Sequence, residues 1–284
     1  MTHQSIQRWS RLKRMAKTTG MYVLLTAIAC LFIGPFILLV STAFKSDSQP
    51  VFSFPPQWLP DPPVWDNFHQ AWNDIPFPRY MFNSFFLVGV MVPLHLLLAS
   101  ITAYPLARMR FFGRNFIFYG IIATMFIPPE VMLIPRFLLV KTLNMTDSYW
   151  GIIIPGLLGG FAVFLMRQAY LAIPRELEEA AIIDGCGPFR MWWSIMLPLT
   201  APTTAALGVF SFISVWNSFV WPLIVLKSPE LYPLSLGLAY LAGTFGFDVK
   251  SLAAGAVISA TPIIIFFLLM QRYFVYGMQG AVKK

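Results

Sequence analysis

Long stretches without a single Asp, Glu, Lys or Arg recur along this chain, and they restrict its fold more than any other feature. Thr18–Phe44, Tyr80–Ala107, Ser148–Met166, Met191–Leu226 and Ser251–Gln271 are all free of these residues. A hydrocarbon layer about 30 Å thick takes roughly 20 apolar residues of helix to cross, at about 1.5 Å per residue. A further apolar segment, Asn115 to about Val140, is interrupted by Glu130, Arg136 and the prolines Pro128, Pro129 and Pro135. With the fifth span placed inside 191–226, six spans are expected, in an all-α integral membrane protein. Composition agrees: 57% of the 284 residues are hydrophobic and 11% charged, against roughly 25% charged in a soluble domain.

The first span follows Arg8, Arg11, Lys13, Arg14 and Lys17, as a secretory signal would. Its apolar core is too long for one and no small-residue cleavage site follows, so it is expected to stay in the membrane. Charge placement sets the orientation. With the N-terminus in the cytoplasm, fourteen basic residues face inward: Arg8, Arg11, Lys13, Arg14, Lys17, Arg108, Arg110, Arg114, Arg167, Arg175, Arg190, Arg272, Lys283 and Lys284. Five face outward (Lys45, Arg79, Lys141, Lys227 and Lys250), and Arg136 lies within a span. Cytoplasmic loops retain positive charge, so both termini are expected in the cytoplasm, and the formal charge of +8 needs no nucleic acid to explain it.

The chain therefore divides into a basic cytoplasmic segment, 1–17, and a six-span domain, 18–284. Outward loops are expected at 45–79, 141–147 and 227–250, and a cytoplasmic segment at 167–198. Loop 45–79 carries Pro50, Pro55, Pro56, Pro60, Pro62 and Pro63 with Trp58, Trp65 and Trp72. Repeated prolines exclude a regular helix there, leaving a stiff membrane-hugging connector or a partner-docking surface. Gly237, Gly243 and Gly246 suggest that 227–250 is mobile or tightly turned.

The segment 167–198 holds nearly all the inward-facing acid. Pro174 suits the first position of a helix, where its missing N–H is not needed, and Glu176, Glu178 and Glu179 suit the positive end of the helix dipole. Gly185 or Gly187 can provide the left-handed stop before Pro188. A helix of about three turns is expected over 174–185, then a second piece from Phe189 to Met196 ending near Pro198. Ala180 and Ala181, flanked by acids, Leu177 and Ile183, offer a flat surface suited to a groove on another protein.

Glu179-Ala180-Ala181, three residues, Gly185, nine residues, then Ile195-Met196-Leu197-Pro198 resembles the cytoplasmic signature of ATP-binding-cassette importer permeases at every anchor. In that family the motif is a coupling helix, here expected between spans four and five, that seats in a cleft of the ATPase subunit. The resemblance implies coupling roles for Glu179, Ala180, Ala181, Asp184, Gly185, Ile195, Leu197 and Pro198. Asn83-Ser84, the run Ala103 to Arg108, Pro128 with Pro135, Trp216-Asn217 and Trp221-Pro222-Leu223 are similar to the carbohydrate-uptake, maltose-type branch. The similarity continues through Gln271-Arg-Tyr-Phe-Val and Gly280-Ala-Val-Lys283. Cys186 departs mildly from the small Ala or Ser commoner at its position. The family implies a second homologous permease subunit, two ATPase subunits, an external solute-binding protein and a sugar or polyol cargo, in the bacterial cytoplasmic (inner) membrane.

Chemistry on the chain itself is not indicated. There is no G-x-x-x-x-G-K-[ST], so ATP and its Mg are expected on the partner ATPase subunits and no cofactor on this chain. Neither G-x-S-x-G nor H-E-x-x-H occurs, and Cys30, Cys186, His3, His69 and His95 are scattered rather than spaced for a metal. An enzyme is not expected. Polar residues within spans are candidate pathway groups. Asn217 and Ser218, beside Trp216 and Trp221, combine amide and aromatic chemistry suited to sugar, although helix packing explains them equally. Glu130, Asn83 and His95 are further candidates. Glu130 and Arg136 either pair or lie near the outer face, and Gly156 with Gly160 suggests close helix packing. Permeases for peptides, amino acids or phosphate share a looser form of the motif. An ion channel would need a pore loop or a polar ring, and neither is evident.

Overall fold

The computed structural model describes residues 3–244 and 248–282, so Gly246, Lys283 and Lys284 of the expectations above lie outside the described residues. Among the described residues the protein is all-α, with one isolated bridge between Lys45 and Pro63. It forms two compact units, residues 1–71 with 245–257, and residues 72–244 with 258–284.

In the first unit, α1 (His3–Ala43) runs unbroken from the basic segment through the first apolar stretch, so the boundary at residue 17 is one of composition, not structure. Leu31 and Phe32 are more than 70% exposed, which suits a helix whose solvent is lipid. The end of α1 is held by Asn67, whose amide donates to the carbonyls of Ala43 (2.9 Å) and Lys45 (2.8 Å), partners that a helix C-terminus cannot provide for itself. Phe44, Trp65 and Phe68 pack around this point. Loop 45–79 is not irregular throughout, because α2 (Asp66–Asn73) and the first turn of α3 (Phe77–Arg108) fall within it, after the proline-rich stretch from Pro50 to Pro63. In the same unit Asp248 caps the last helix, accepting from the backbone N–H groups of Lys250 and Ser251.

The spine of the second unit is α3. Ala99 and Ala103 on it are completely buried, and small residues let α7 (Gly160–Leu171) and α10 (Ala201–Trp216) approach closely. The third expected span is broken where its prolines predict, into α4 (Arg114–Thr124) and α5 (Leu133–Thr142). The fourth is α6 (Tyr149–Gly156) plus α7, bent by 42° and longer than the expected 148–166. Gly160 is needed here: a Cβ on it would fall 2.9 Å from the Ile121 carbonyl oxygen.

Within the apolar run 191–226, α9 (Pro188–Leu199), π-helical over Met191–Met196, covers the separate short piece expected from Phe189 to Met196 and meets α10 at 78°, and α11 (Val220–Val225) follows a break at 217–219. At the bend the Thr200 hydroxyl donates to the Met196 and Leu197 carbonyls, a local bond that competes with the helix ladder. Segment 227–250 is not simply a turned loop, for it contains the apolar helix α12 (Leu234–Thr244), in which Gly237 and Gly243 are helical. The final helix, α13 (Val249–Val282), contains the last apolar stretch. Among the described residues, three helices are alone long and apolar enough to cross a membrane, and counting each of the two bent pairs as one span brings the number to five.

Segment 141–147 holds the last two residues of α5 and then a tight turn with Asn144 and Asp147 in the left-handed region, φ 55° and 54°. The Asp147 carboxylate accepts from the Ser228 hydroxyl (2.6 Å) and from the backbone N–H groups of Ser228 and Lys227 (both 2.9 Å). These bonds hold its carboxyl below the usual aspartate range, the Ser228 hydroxyl contributing most. A depressed folded pKa stabilises the turn above the unfolded value near 3.8 and ceases to do so as pH falls through the lower folded value. The thermal midpoint should therefore step down when pH is taken below about 4, the ordinary aspartate range. That step should shrink in Asp147→Asn, and an identical acid profile in the variant would refute the assignment.

Candidate functional site

Two places gather the residues singled out in the sequence. The first is α8 (Arg175–Ile183). Pro174 is its N-cap, with ψ of 141°, rather than its first helical residue, one position from the expectation. Glu176 and Glu178 lie in its first turn, at the positive end of the dipole. Its end is a full Schellman closure: Gly185 has φ +75°, its N–H donates to the Ile182 carbonyl, and the Cys186 N–H donates to the Ala181 carbonyl, both at 2.9 Å. Gly185 is thus the left-handed stop, and Gly187 is not.

The alanine pair is divided by the helix. Ala181 is buried with Tyr104, Tyr170 and Met191, whereas Ala180 is exposed beside Glu179, Leu177 and Ile183. The two do not form one flat surface. At about 100° per residue, neighbours on a helix point in different directions, so one alanine faces the core and the other faces outward. Asp184, Gly185 and Pro198 are also exposed, and Ile195 and Leu197 pack partly against the core behind α8.

What holds α8 in place is a residue not chosen from the sequence. Arg108, the last residue of α3, donates through one guanidinium nitrogen to the carbonyls of Tyr170 and Ile173, and its other terminal nitrogen lies 3.4 Å from the Glu178 carboxylate. Its side chain is 4% exposed. The basic end of the run Ala103–Arg108 was the available signal, but only the fold brings it to residues 170–178. Nearby, Ser100 shares a 2.6 Å hydrogen bond with the Tyr170 hydroxyl and accepts from Trp192 Nε1 at 2.9 Å, which ties α3, α7 and the π-helical turn together. Arg167 donates to the Leu106 carbonyl at 3.1 Å and lies over the Phe118 ring.

The second place is a cavity of about 200 Å³ bordered by Met91, His95, Arg136, Ser218 and Trp221. Most of the candidate pathway residues do not converge on it. Of them Ser218 and His95 line it, and the Ser218 carbonyl already accepts from the Ser235 hydroxyl. Trp216 is buried in an aromatic stack with Phe212 and donates to the Ser259 carbonyl. Asn217 is exposed at the C-cap of α10. Asn83 is completely buried and fully engaged: its amide donates to the carbonyls of Glu230 (2.8 Å) and Tyr232 (2.9 Å) and accepts from the Tyr149 hydroxyl (2.7 Å). It fastens segment 229–232 to α3. Glu130 is exposed and makes no ion pair with Arg136, whose guanidinium instead lies over the Trp221 ring, 4.2 Å from its centroid.

Residues 95–279 match the family described as the binding-protein-dependent transport system inner membrane component. The chain belongs to this family. It is a multi-pass inner-membrane permease of an ATP-binding-cassette importer and is not itself catalytic. Its resemblance to the carbohydrate-uptake branch also holds among relatives. The permease is 35% identical over 263 residues to the arabinooligosaccharides transport system permease protein AraQ of Halalkalibacterium halodurans, covering 90% of this chain and 93% of that one. It is 32% identical over 270 residues to the sn-glycerol-3-phosphate transport system permease protein UgpE of Yersinia enterocolitica, covering 92% and 96%. Among solved structures, it superposes on a chain of a bacterial ABC transporter involved in import of the acidic polysaccharide alginate with a TM-score of 0.79. That chain is 26% identical, with 93% of this chain and 98% of that one covered.

Proposed function

We propose that this permease moves sugars, polyols or their derivatives inward across the bacterial inner membrane, with α8 as the coupling helix that receives motion from the ATPase. The observation that carries this reading is α8 itself: an acid-first helix with an outward Glu179–Ala180 edge and an αL glycine stop, fastened through Arg108 to the end of α3. A helix fixed in this way moves as one body with the spans behind it. Closure of two ATPase subunits against α8 then rocks α3 and α7 and switches access to the solute, the general alternating-access scheme. Leu177, Ala180 and Ile183 supply the apolar contact, Glu179 and Asp184 the polar one, and Ile195, Leu197 and Pro198 support the loop from behind.

The remaining organisation follows from the same reading. Six spans in residues 18–284 have both termini cytoplasmic, with α4–α5 as a broken third span and the basic segment 1–17 continuing α1 into the cytoplasm. ATP and Mg are held by the ATPase subunits, a second homologous permease completes the pathway, and an external binding protein delivers solute. The polyhydroxylated solutes named for the relatives, arabinooligosaccharides, sn-glycerol 3-phosphate and alginate, support the solute class. The test is ATP hydrolysis by the whole complex in lipid vesicles with its binding protein, across a panel of sugars, polyols, peptides and inorganic phosphate. Stimulation by a sugar or polyol supports the solute class. A response only to peptide or phosphate retains the importer and removes the sugar, and failure of the ATPase subunits to co-purify removes the coupling role of α8.

A further inference from the structure

The cavity beside α5 contains a charge that the fold leaves uncompensated. The Arg136 side chain projects from α5 to the Trp221 ring, and its Nε is buried without an acceptor. No carboxylate among the described residues pairs with it: the two ion pairs found there join Arg108 to Glu178 and Lys250 to Asp47. Facing it in the same cavity, His95 shares a 2.9 Å hydrogen bond between Nδ1 and the Ser211 hydroxyl, while its Nε2 is buried with no partner. Ser211, Ser214 and Ser218 add the polar part of the wall, and Gly156 brings no side chain between α6 and the guanidinium. Arg136 is half-buried, and stacking on an indole offsets only part of what an unpaired guanidinium loses away from bulk water, so the remainder calls for an anion.

We infer that this cavity is a subsite for an anionic oxygen group, a carboxylate or phosphate carried by a polyhydroxylated solute, with Arg136 as its charge partner. The inference rests on the permease reading above and narrows its solute class. Arg136 offers a planar fork of N–H donors that matches either oxyanion, and Trp221 holds the fork in place. The serine hydroxyls adjust as donors or acceptors to neighbouring hydroxyl groups. At about 200 Å³ the cavity is smaller than sites that enclose a whole drug-sized ligand, so it accepts one charged end of a solute while the rest extends beyond it.

The test uses the intact importer with its binding protein in vesicles, and titrates ATP hydrolysis with glycerol 3-phosphate, trigalacturonate, glycerol and arabinotriose. Each titration is repeated with Arg136→Met and Arg136→Lys, with assembly monitored by co-purification of the ATPase subunits. The expected result is stimulation by an anionic probe, with the half-maximal concentration raised about tenfold or more by Arg136→Met, the scale of one lost charge-assisted hydrogen bond, and partly restored by Arg136→Lys. Glycerol 3-phosphate and trigalacturonate then distinguish a phosphate from a carboxylate as the group bound. Stimulation confined to the neutral probes overturns the anionic subsite and leaves the permease reading standing. So does a half-maximal concentration for an anionic probe that Arg136→Met leaves unchanged, or an Arg136→Met variant that no longer co-purifies with the ATPase, since Arg136 is then a structural strut between α5 and α11. No stimulation by any of the four overturns both the sugar class and the subsite.

Discussion

Arg108→Met is expected to abolish solute-stimulated ATP hydrolysis while the chain still inserts in the membrane and the long helices still form. The substitution keeps the length and apolar stem of the side chain but removes three interactions at once: the hydrogen bonds to the Tyr170 and Ile173 carbonyls and the ion pair with Glu178. Breaking a buried charge pair from one side costs about 3–5 kcal/mol, because the remaining partner stays desolvated. Glu178 is 20% exposed and can regain some water, which places the loss near the lower end, about 3 kcal/mol. At about 1.4 kcal/mol per tenfold, the fastened position of α8 becomes roughly a hundredfold less favoured. Glu178→Gln should have a smaller effect, since Arg108 still donates to both carbonyls. The measurement is stimulated ATPase activity beside cysteine accessibility on α8, with both variants in the same vesicles. Equal losses in the two variants would mean that the carbonyl bonds contribute nothing, and unchanged activity in Arg108→Met would sink the fastening role.

Gly185→Val is the second large effect, and it separates backbone geometry from bulk. A Cβ built on Gly185 meets nothing within 4 Å, so this chain leaves room for a side chain. The obstacle within the permease is φ of +75°, which costs an ordinary L-residue roughly 1–2 kcal/mol and a β-branched one more. Loss of the turn opens the two closing hydrogen bonds, Gly185 N–H to Ile182 and Cys186 N–H to Ala181, and redirects the chain into α9. Asn enters the left-handed region readily, so Gly185→Asn should retain most coupling, Gly185→Ala less and Gly185→Val least. If bulk against the ATPase cleft dominates instead, Asn will be as damaging as Val. Stimulated ATPase across the three variants, with basal ATPase and co-purification as controls, decides between the two. Normal coupling in Gly185→Val would mean that the turn is dispensable.

Much of this arrangement is legible in the sequence. Hydrophobic runs identify helices long enough for a membrane because the required length is physical and the signal is continuous. Pro128 and Pro129 foretold the break between α4 and α5 because proline removes a backbone donor wherever it stands. The Glu-rich start of α8 and its Gly185 stop were readable for the same kind of reason, since caps and left-handed turns are decided by the residues that make them. Failures occurred where the outcome depended on distant partners. Helix α12 was missed because its glycines read as turn signals, whereas an apolar helix tolerates them when packing favours it. Asn83 looked like a solute contact because an amide in a span is conspicuous, but its three partners lie 66 to 149 residues away in sequence.

The sequence alone determined a basic, helical, membrane-embedded chain carrying an acid-first helix closed by glycine, and its resemblance to a family motif added the importer role. The first features are local, written in the period, charge and turn chemistry of contiguous residues. Tertiary structure alone decided that Ala180 faces outward and Ala181 inward, that Arg108 fastens α8, and that Arg136 lies over Trp221 rather than beside Glu130. Each of these depends on which side chains meet after the helices pack. Buried polar groups must find partners wherever the fold brings them, and sequence separation carries almost no record of that choice.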